Sequence, residues 1–397
     1  MNYSNNPRKG LVRSASSAVL ATVLLLAACG GGSTSDDPST PDAGGTETGG
    51  EIDAIDTSVE GATAIFDQVK DLPLDEAMAL IEECAIEEGT ITHYTHEDDM
   101  VPGWEEVWPT LYPDIEYQGV IGDTTANIEK VLAEFRSGNH TVDVVAGNAE
   151  SHGLYDTEGV LATHDSFYTV ENFPDRAKFA NFTSQNINPA VIAWNTNLVP
   201  EDMAPDSYDD FLDPDFPEPI GIDGSPPNPM AALVAAWGEE EVRSWLTELF
   251  ETKEVRVIEG HGAGRNLLAA GEIAAHIELF VGDLEAIIVE DGAPIDWYAA
   301  DPSGASSAGT MIAENAPHPC AAALFANFLS SVEGSQVVAD MGTTVQNPDV
   351  DFPYPRLIEL LDNPNLRVIY PGSPEAESMA TARQIINEII VPNLTGG

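Results

Sequence analysis

Four short runs in this chain have an apolar body: VDVVAGN from Val142, AVIAWNTN from Ala190, PIGIDGS from Pro219, which ends in a Gly-Ser turn, and IAAHIELF from Ile273. Runs of this length, bounded by Gly, Asn and Pro, read as strands covered on both faces. Between them lie segments with helical spacing. In NIEKVLAEFRSG, Ile128, Val131, Leu132 and Phe135 fall on one face, and Gly138 follows as a stop. PLDEAMALIEECAIEEG, PMAALVAAWG, EEVRSWLTELFE, AGRNLLAAGE, VGDLEAIIVEDG, CAAALFANFLSSVEG and PEAESMATARQIINEII read as further helices. TITHYT, DIEYQGV and VRVIEG complete the strands. Buried strands alternating with helices imply an α/β fold with a parallel sheet.

With 397 residues the chain has room for two domains, and a hydrophobic content of 43% can fill their cores. Its 67 acids against 15 Lys and Arg give a surface that repels nucleic acid and anionic headgroups, so no nucleic-acid partner is expected. The N-terminal segment is marked in a different way. Arg8, Lys9 and Arg13 precede the apolar run SAVLATVLLLAAC, which is too short to span a membrane. It ends Leu26-Ala27-Ala28-Cys29-Gly30, in the manner of a bacterial lipobox. The expectation is a signal peptide over 1–28, a lipid anchor through Cys29, and a solvated Gly/Ser/Asp-rich tether over 29–58. Beyond Cys29 only Cys84 and Cys320 remain, either as a disulfide or as two buried thiols on separate helices.

LIEECAIEEGTITHYT, PAVIAWNTNLVPEDMAPDSYDDFLDPDF, AGRNLLAAGEIAAHI and NAPHPCAAALFANFLSSVEGSQVV occur in that order over most of the body. With these stretches the chain resembles the extracellular solute-binding proteins of bacterial ABC importers. The similarity is greatest to the branch that includes ferric-iron, thiamine, polyamine and phosphonate binders. The resemblance implies a two-lobe periplasmic-binding-protein fold with hinge strands and an interlobe cleft. Lobe one would comprise 75–187 plus 306–397, and lobe two 188–305. The chain would crossover near NINPAVIAW and DPSGASSAGTM. It also implies an ABC permease as partner, a small-molecule or chelated-metal solute, a periplasmic or outer-surface location, and no catalysis or cofactor. A ligand-sensing surface lipoprotein would use the same fold.

In open α/β sheets, ligands bind beyond the carboxyl ends of the strands, where helix N-termini offer free N–H groups. The loops at those ends nominate Tyr94, Thr95, His96, Thr124, Thr125 and Asn148 from the first block. The second block adds Ser225, His261, Arg265, Glu278, Phe280 and Asp301, with Trp194 near the hinge. Each has a plain structural alternative. Thr124 or Thr125 is an ordinary helix cap, Trp194 packs, and Arg265 forms a salt bridge among so many acids. The iron binders of the resembled branch carry adjacent tyrosines where this chain reads Leu279 and Phe280, so tyrosinate iron binding is not expected here.

GTITHYTHEDDM, from Gly89 to Met100, gathers His93, His96, Glu97, Asp98 and Asp99. In an extended strand His93 and Thr95 share one face and Tyr94 and His96 the other, so the two histidines do not converge on one ion. No metal site is expected there. The chain also lacks a G-x-S-x-G elbow, H-E-x-x-H, a P-loop and a dinucleotide fingerprint, which leaves a hydrolase without a nominated site.

Overall fold

The computed structural model describes residues 52–164, 173–224 and 227–394. The chain divides into two units, Met1–Glu51 and Ile52–Gly397. The signal segment, Cys29 and the tether as far as residue 51 lie outside the described residues, as does Ser225. No helix among the described residues is long and apolar enough to cross a membrane.

The body starts earlier than residue 58. Ile52, Ile55 and Val59 pack against the main apolar core. Asp56 is pinned by Gln68, whose Oε1 accepts the Asp56 N–H at 2.8 Å and whose amide donates to the Asp56 carbonyl at 3.0 Å. A short helix α1 (Ala62–Phe66) follows, then α2 (Leu74–Glu88), which ends on Gly89 at φ 72°. A left-handed residue at that position stops the helix, and only glycine adopts it without strain.

The first half of the sheet then unfolds in order: β1 (Thr90–Thr95), α3 (Val101–Leu111), β2 (Glu116–Ile121), α4 (Thr124–Ser137), β3 (Val144–Asn148) and α5 (Ala149–Thr157). The sequence pattern does not announce α3, because VPGWEEVWPTL carries two prolines and a glycine. Pro102 sits in the first turn, where no N–H is needed, and buried Trp104 and Trp108 hold the helix to the core.

β4 (Lys178–Phe179) leads into β5 (Phe182–Asn195), the longest strand. The second half contains β6 (Ile220–Asp223), α6 (Asn228–Trp237), α7 (Glu239–Thr252), β7 (Val255–Ile258), α8 (His261–Ala270), β8 (Ala275–Phe280), α9 (Val281–Asp291) and β9 (Ile295–Tyr298). β10 (Ser303–Ile312) returns the chain to the first half. α10 (Pro319–Ser330), α11 (Val332–Asp340), β11 (Thr344–Val345), α12 (Pro355–Leu361) and β12 (Leu366–Ile369) follow. The chain closes with α13 (Pro374–Glu377) and α14 (Met379–Ile385), which runs on as a wider π turn over Ile386–Ile390.

The strand order is β2-β1-β3-β10-β5-β8-β6-β7. β1 pairs in parallel with β2 and β3, and β6 with β7 and β8. At the centre, however, β10 is antiparallel to both β3 and β5, and β5 is antiparallel to β8. The sheet is therefore mixed, which corrects the expectation of a parallel one. The reason is β10: its Ser, Gly and Ala content has low β-propensity and hides a buried strand. β5 bonds to β10 from Thr183 to Pro189, then to β8 and β9 from Ala190 to Asn195. One strand thus serves both halves and changes partners at Pro189 and Ala190.

Three apolar clusters fill the body. The largest joins α2, α3 and α10 and continues to Leu268, Leu279 and Leu284. A second lies between β1, β3 and α4. The third is built on α6 and α7 and takes in Ala382, Ile385, Ile386 and Ile390 of the C-terminal helices. The end of the chain, although it follows first-half strands, is seated on the second half. Cys84 of α2 and Cys320 of α10 are joined as a disulfide with Cα atoms 5.8 Å apart.

Candidate ligand-binding cleft

The pairing registers place the strand ends. Asn148, which ends β3, is level with Ala308 of β10, and Ala308 is level with Asn186 of β5. Phe280, which ends β8, is level with Ala190 of β5. β3 runs parallel to β5 and β8 antiparallel to it. The carboxyl ends of β1–β3 and of β6–β8 therefore point toward each other at the level where β5 changes partners. Ligand sites in α/β folds form at such ends.

On the first half, Thr95 is buried and its hydroxyl accepts the Glu97 N–H at 3.0 Å, turning the chain out of β1. Glu97 in turn accepts from the Asn186 side-chain Nδ2 at 3.2 Å, while the side-chain Oδ1 of Asn186 and the Nδ1 of His96 are buried without a hydrogen bond. Tyr94 belongs to the core instead. Its hydroxyl donates to Glu134 at 2.7 Å and lies 2.8 Å from Thr141 Oγ, and Lys130 stands 4.0 Å over its ring. Its face of β1 is the one covered by α4, so its polar end is already occupied there.

Helix α4 is capped by Asp123, whose carboxylate accepts the Ala126 N–H at 2.9 Å. Thr124 and Thr125 are the first helical residues behind that cap, half-buried and exposed respectively. Asn148 caps α5 reciprocally with Ser151: its oxygen accepts the Glu150 and Ser151 N–H groups at 3.1 Å, and Ser151 Oγ accepts the Asn148 N–H at 2.9 Å. These turns hold the cleft loops in place.

His93 is no ligand in waiting. It is buried between Trp104, Tyr117 and Phe325, with Nδ1 3.1 Å from the Tyr117 hydroxyl. Burial pushes its pKa down to about 3, with His96 adding to the effect. Among the described residues, the one trio of His, Cys, Asp or Glu with ligand atoms mutually within 4.8 Å is Cys84, Glu88 and Cys320, where the sulfurs are bonded to each other.

On the second half, Trp194 packs in the third cluster and pairs with Ala275 and Asp296. His261 opens α8 and Arg265 follows one turn on, half-buried. Phe280 ends β8 and stands at the N-cap of α9. Asp301 is exposed and bound to Arg367 at 3.0 Å, which makes it one side of a surface salt bridge. Glu278 differs from all of these. It is 1% exposed, and neither carboxyl oxygen has a hydrogen-bond partner. Burial, and then the neighbouring Asp223, push its pKa up to about 8.

Asp223 was missed in the sequence, although Ser225, two residues on, was nominated. The signal was the end of PIGID itself, where a charged residue terminates a buried parallel strand. Asn186 opens NINPAVIAW, the stretch the resemblance marks as a crossing, but nothing in the polar first half of β5 singled out its side chain.

A family model described as bacterial extracellular solute-binding protein matches residues 139–361, more than half of the chain. No curated protein matches the sequence. Among solved structures, the apo ferric ion-binding protein A of Pasteurella haemolytica superposes with a TM-score of 0.63 at 12% identity, covering 78% of this chain and 100% of that one. The Trichodesmium protein IdiA (FutA), in complex with iron and citrate ligands, gives 0.61 at 16% identity, covering 76% and 99%. AfuA of Actinobacillus pleuropneumoniae, a periplasmic binding protein with fructose-6-phosphate bound, gives 0.54 at 19%, covering 76% and 98%. At these identities the structures establish the fold alone, a two-lobed α/β architecture. With that fold and the family match over its centre, the chain belongs to the bacterial extracellular solute-binding proteins.

Proposed function

We propose that this protein is the lipid-anchored capture component of an ABC import system, holding a small solute between two lobes and delivering it to a membrane permease. The lobes would be 75–187 plus 306–397 and 188–305, with the C-terminal helices seated across on the second. The observation that carries the reading is the opposition of two sets of strand carboxyl ends where β5 changes partners. Capture needs no chemistry: a solute that contacts both halves favours their closed arrangement by its differential affinity. The proposed contacts are Thr95, His96 and Asn148 on one side, with Ser225, His261, Arg265, Glu278 and Phe280 on the other. The N-terminal segment supplies the tether and anchor of the same reading.

A thermal-shift screen over ferric citrate, sugar phosphates, amines and amino acids tests it. A solute at 100 times its dissociation constant adds about 2.7 kcal/mol of stability. If no class stabilises the chain, the capture reading is wrong. Membrane fractionation tests the anchor: Cys29→Ala should appear in the soluble fraction, and continued membrane association would remove the anchor from the proposal.

A further inference from the structure

β6 and β8 are neighbouring parallel strands, with Ile220 level with Ala275 and Gly221 level with His276. Carried two residues further, that register sets Asp223 beside Glu278 at the carboxyl ends. Side chains two apart share a face, and Gly221 confirms which one: a Cβ there would lie 2.6 Å from His276 Cδ2. Asp223 and Glu278 are thus adjacent on the face that α8 covers, where Gly264 lies against His276. Both are 1% exposed.

Two buried carboxyl groups side by side are costly, since each disfavours charge on the other. Proteins normally meet that cost with hydrogen bonds or a counter-charge. Asp223 has partners, among them the Gly260 N–H at 3.4 Å, whereas neither oxygen of Glu278 has a hydrogen bond. A protein that needed only packing here would carry an apolar residue, as Ile277 and Leu279 are on either side. A polar group retained without a partner, two residues from the end of a strand aimed at the cleft, points to a ligand as the missing partner.

Resting on the solute-binding reading above, we propose that Asp223 and Glu278 form a subsite for the positively charged ammonium group of an organic solute. An ammonium donates three hydrogen bonds and supplies the charge that lets neighbouring carboxyls ionise together. An anionic solute would meet two acids at this end of the cleft. A metal ion is less well served, because Asp223, His276 and Glu278 do not bring ligand atoms within mutual reach of one ion.

The test uses the full chain, with n-butylammonium chloride as probe beside 1-butanol, sodium butyrate and zinc chloride at equal concentrations. The expected result is a melting-temperature rise with butylammonium exceeding those with butanol and butyrate. Glu278→Gln keeps shape and volume while removing the acid, and should weaken butylammonium binding about tenfold or more. Asp223→Asn provides a second arm should the first variant unfold. Equal shifts from butanol or butyrate would overturn the proposal, as would undiminished butylammonium binding in both variants. Stabilisation by zinc alone, lost in Glu278→Gln, would make the occupant a metal and also sink it. A solute from the wider screen that binds wild type and both variants alike would leave the capture reading standing and this subsite refuted. Failure of every solute would refute the capture reading itself.

Discussion

Arg383 of α14 donates to both carboxylate oxygens of Glu150 in the first turn of α5, at 3.0 Å each. The contact ties the C-terminal helices, whose apolar side is packed with α6 and α7, to the first half of the sheet. It therefore spans the two halves that β5 joins. A second pair, Arg243 to Glu388 at 2.8 Å, fixes the same C-terminal segment to α7.

Half of each side chain in the Arg383–Glu150 pair is exposed, with 51% and 46% of its surface open. Exposed pairs contribute about 0.2–1 kcal/mol. Arg383→Ala and Glu150→Ala should each destabilise by less than about 1 kcal/mol, and the double variant by little more than either single change. High salt should erase the coupling, since screening acts strongly on exposed charges. Urea unfolding of the four proteins at low and high salt measures it. Additive losses would show that the two residues act separately.

The pH dependence of stability is dominated by the four carboxyl and imidazole groups that burial shifts most, the buried Asp143 being raised less. Glu278 and Glu88 have pKa values raised from an ordinary 4.5 to about 8 and about 7, mainly by burial. From 4.5 upward the unfolded chain releases protons that the folded chain keeps, so these groups lower stability as pH rises through that window. His93 and His164 have values depressed from 6.5 to about 3 by burial. Below 6.5 the unfolded chain binds protons that the folded chain refuses, so these groups raise stability as pH rises from 3 to 6.5. Each active group contributes a slope of about 1.4 kcal/mol per pH unit. Two slopes of each sign overlap between 4.5 and 6.5, and only the carboxyls act above 6.5. Unfolding in high salt, which screens the surface acids, should show a plateau followed by a decline toward pH 8. Glu278→Gln should flatten that decline. A decline of the same steepness in the variant would assign it to other groups.

The central strand offers a steric prediction. Gly309 of β10 lies between Gly147 of β3 and Ser184 of β5. A Cβ at that position would be 2.2 Å from the Thr183 carbonyl oxygen, 2.7 Å from Phe182 Cζ and 2.9 Å from Ser184 Cα. Two of these are backbone atoms of the neighbouring strand, held by its pairing with β10 next to the register shift at Ala308 and Gly309. Gly309→Ala should destabilise by about 3 kcal/mol or more. Gly153→Ala is the control, on helix α5 with nothing within 4 Å of the added methyl, and should stabilise by up to about 1 kcal/mol. Comparable losses in the two variants would refute the close-approach account.

These residues also show what the sequence pattern reveals and what it conceals. Apolar runs such as VDVVAGN and IAAHIELF announce their strands, because hydrophobic periodicity is a property of each run alone. The residue pattern alone does not show β10, which only the family resemblance placed as a crossing, because small residues are chosen for what lies across from them, and that information is in the partner strands. The loops of the cleft were legible as strand ends followed by helix starts. Which side chains stay open there was not. Tyr94 is bound within the core by Glu134 and Thr141, and Asp301 is held by Arg367. The Asp223–Glu278 adjacency depends on a register between strands 55 residues apart, which no local pattern encodes.

The Cys84–Cys320 bond closes a loop spanning 236 residues and joins two helices of the largest core. In an unfolded chain, a link of that length restrains much of the molecule, and its removal should lower stability by about 2–5 kcal/mol. The two helices hold a second connection. The Glu88 carboxylate of α2 accepts the Cys320 and Ala321 N–H groups at 3.2 and 2.7 Å, meeting orphan donors at the start of α10. The helices should therefore stay docked after reduction, so that the loss appears as a lower unfolding midpoint with the cooperative transition intact. Guanidinium unfolding with and without reductant measures the shift in wild type. The same reductant should leave Cys84→Ser/Cys320→Ser unchanged; an equal shift in that double variant would place the effect elsewhere than in this bond.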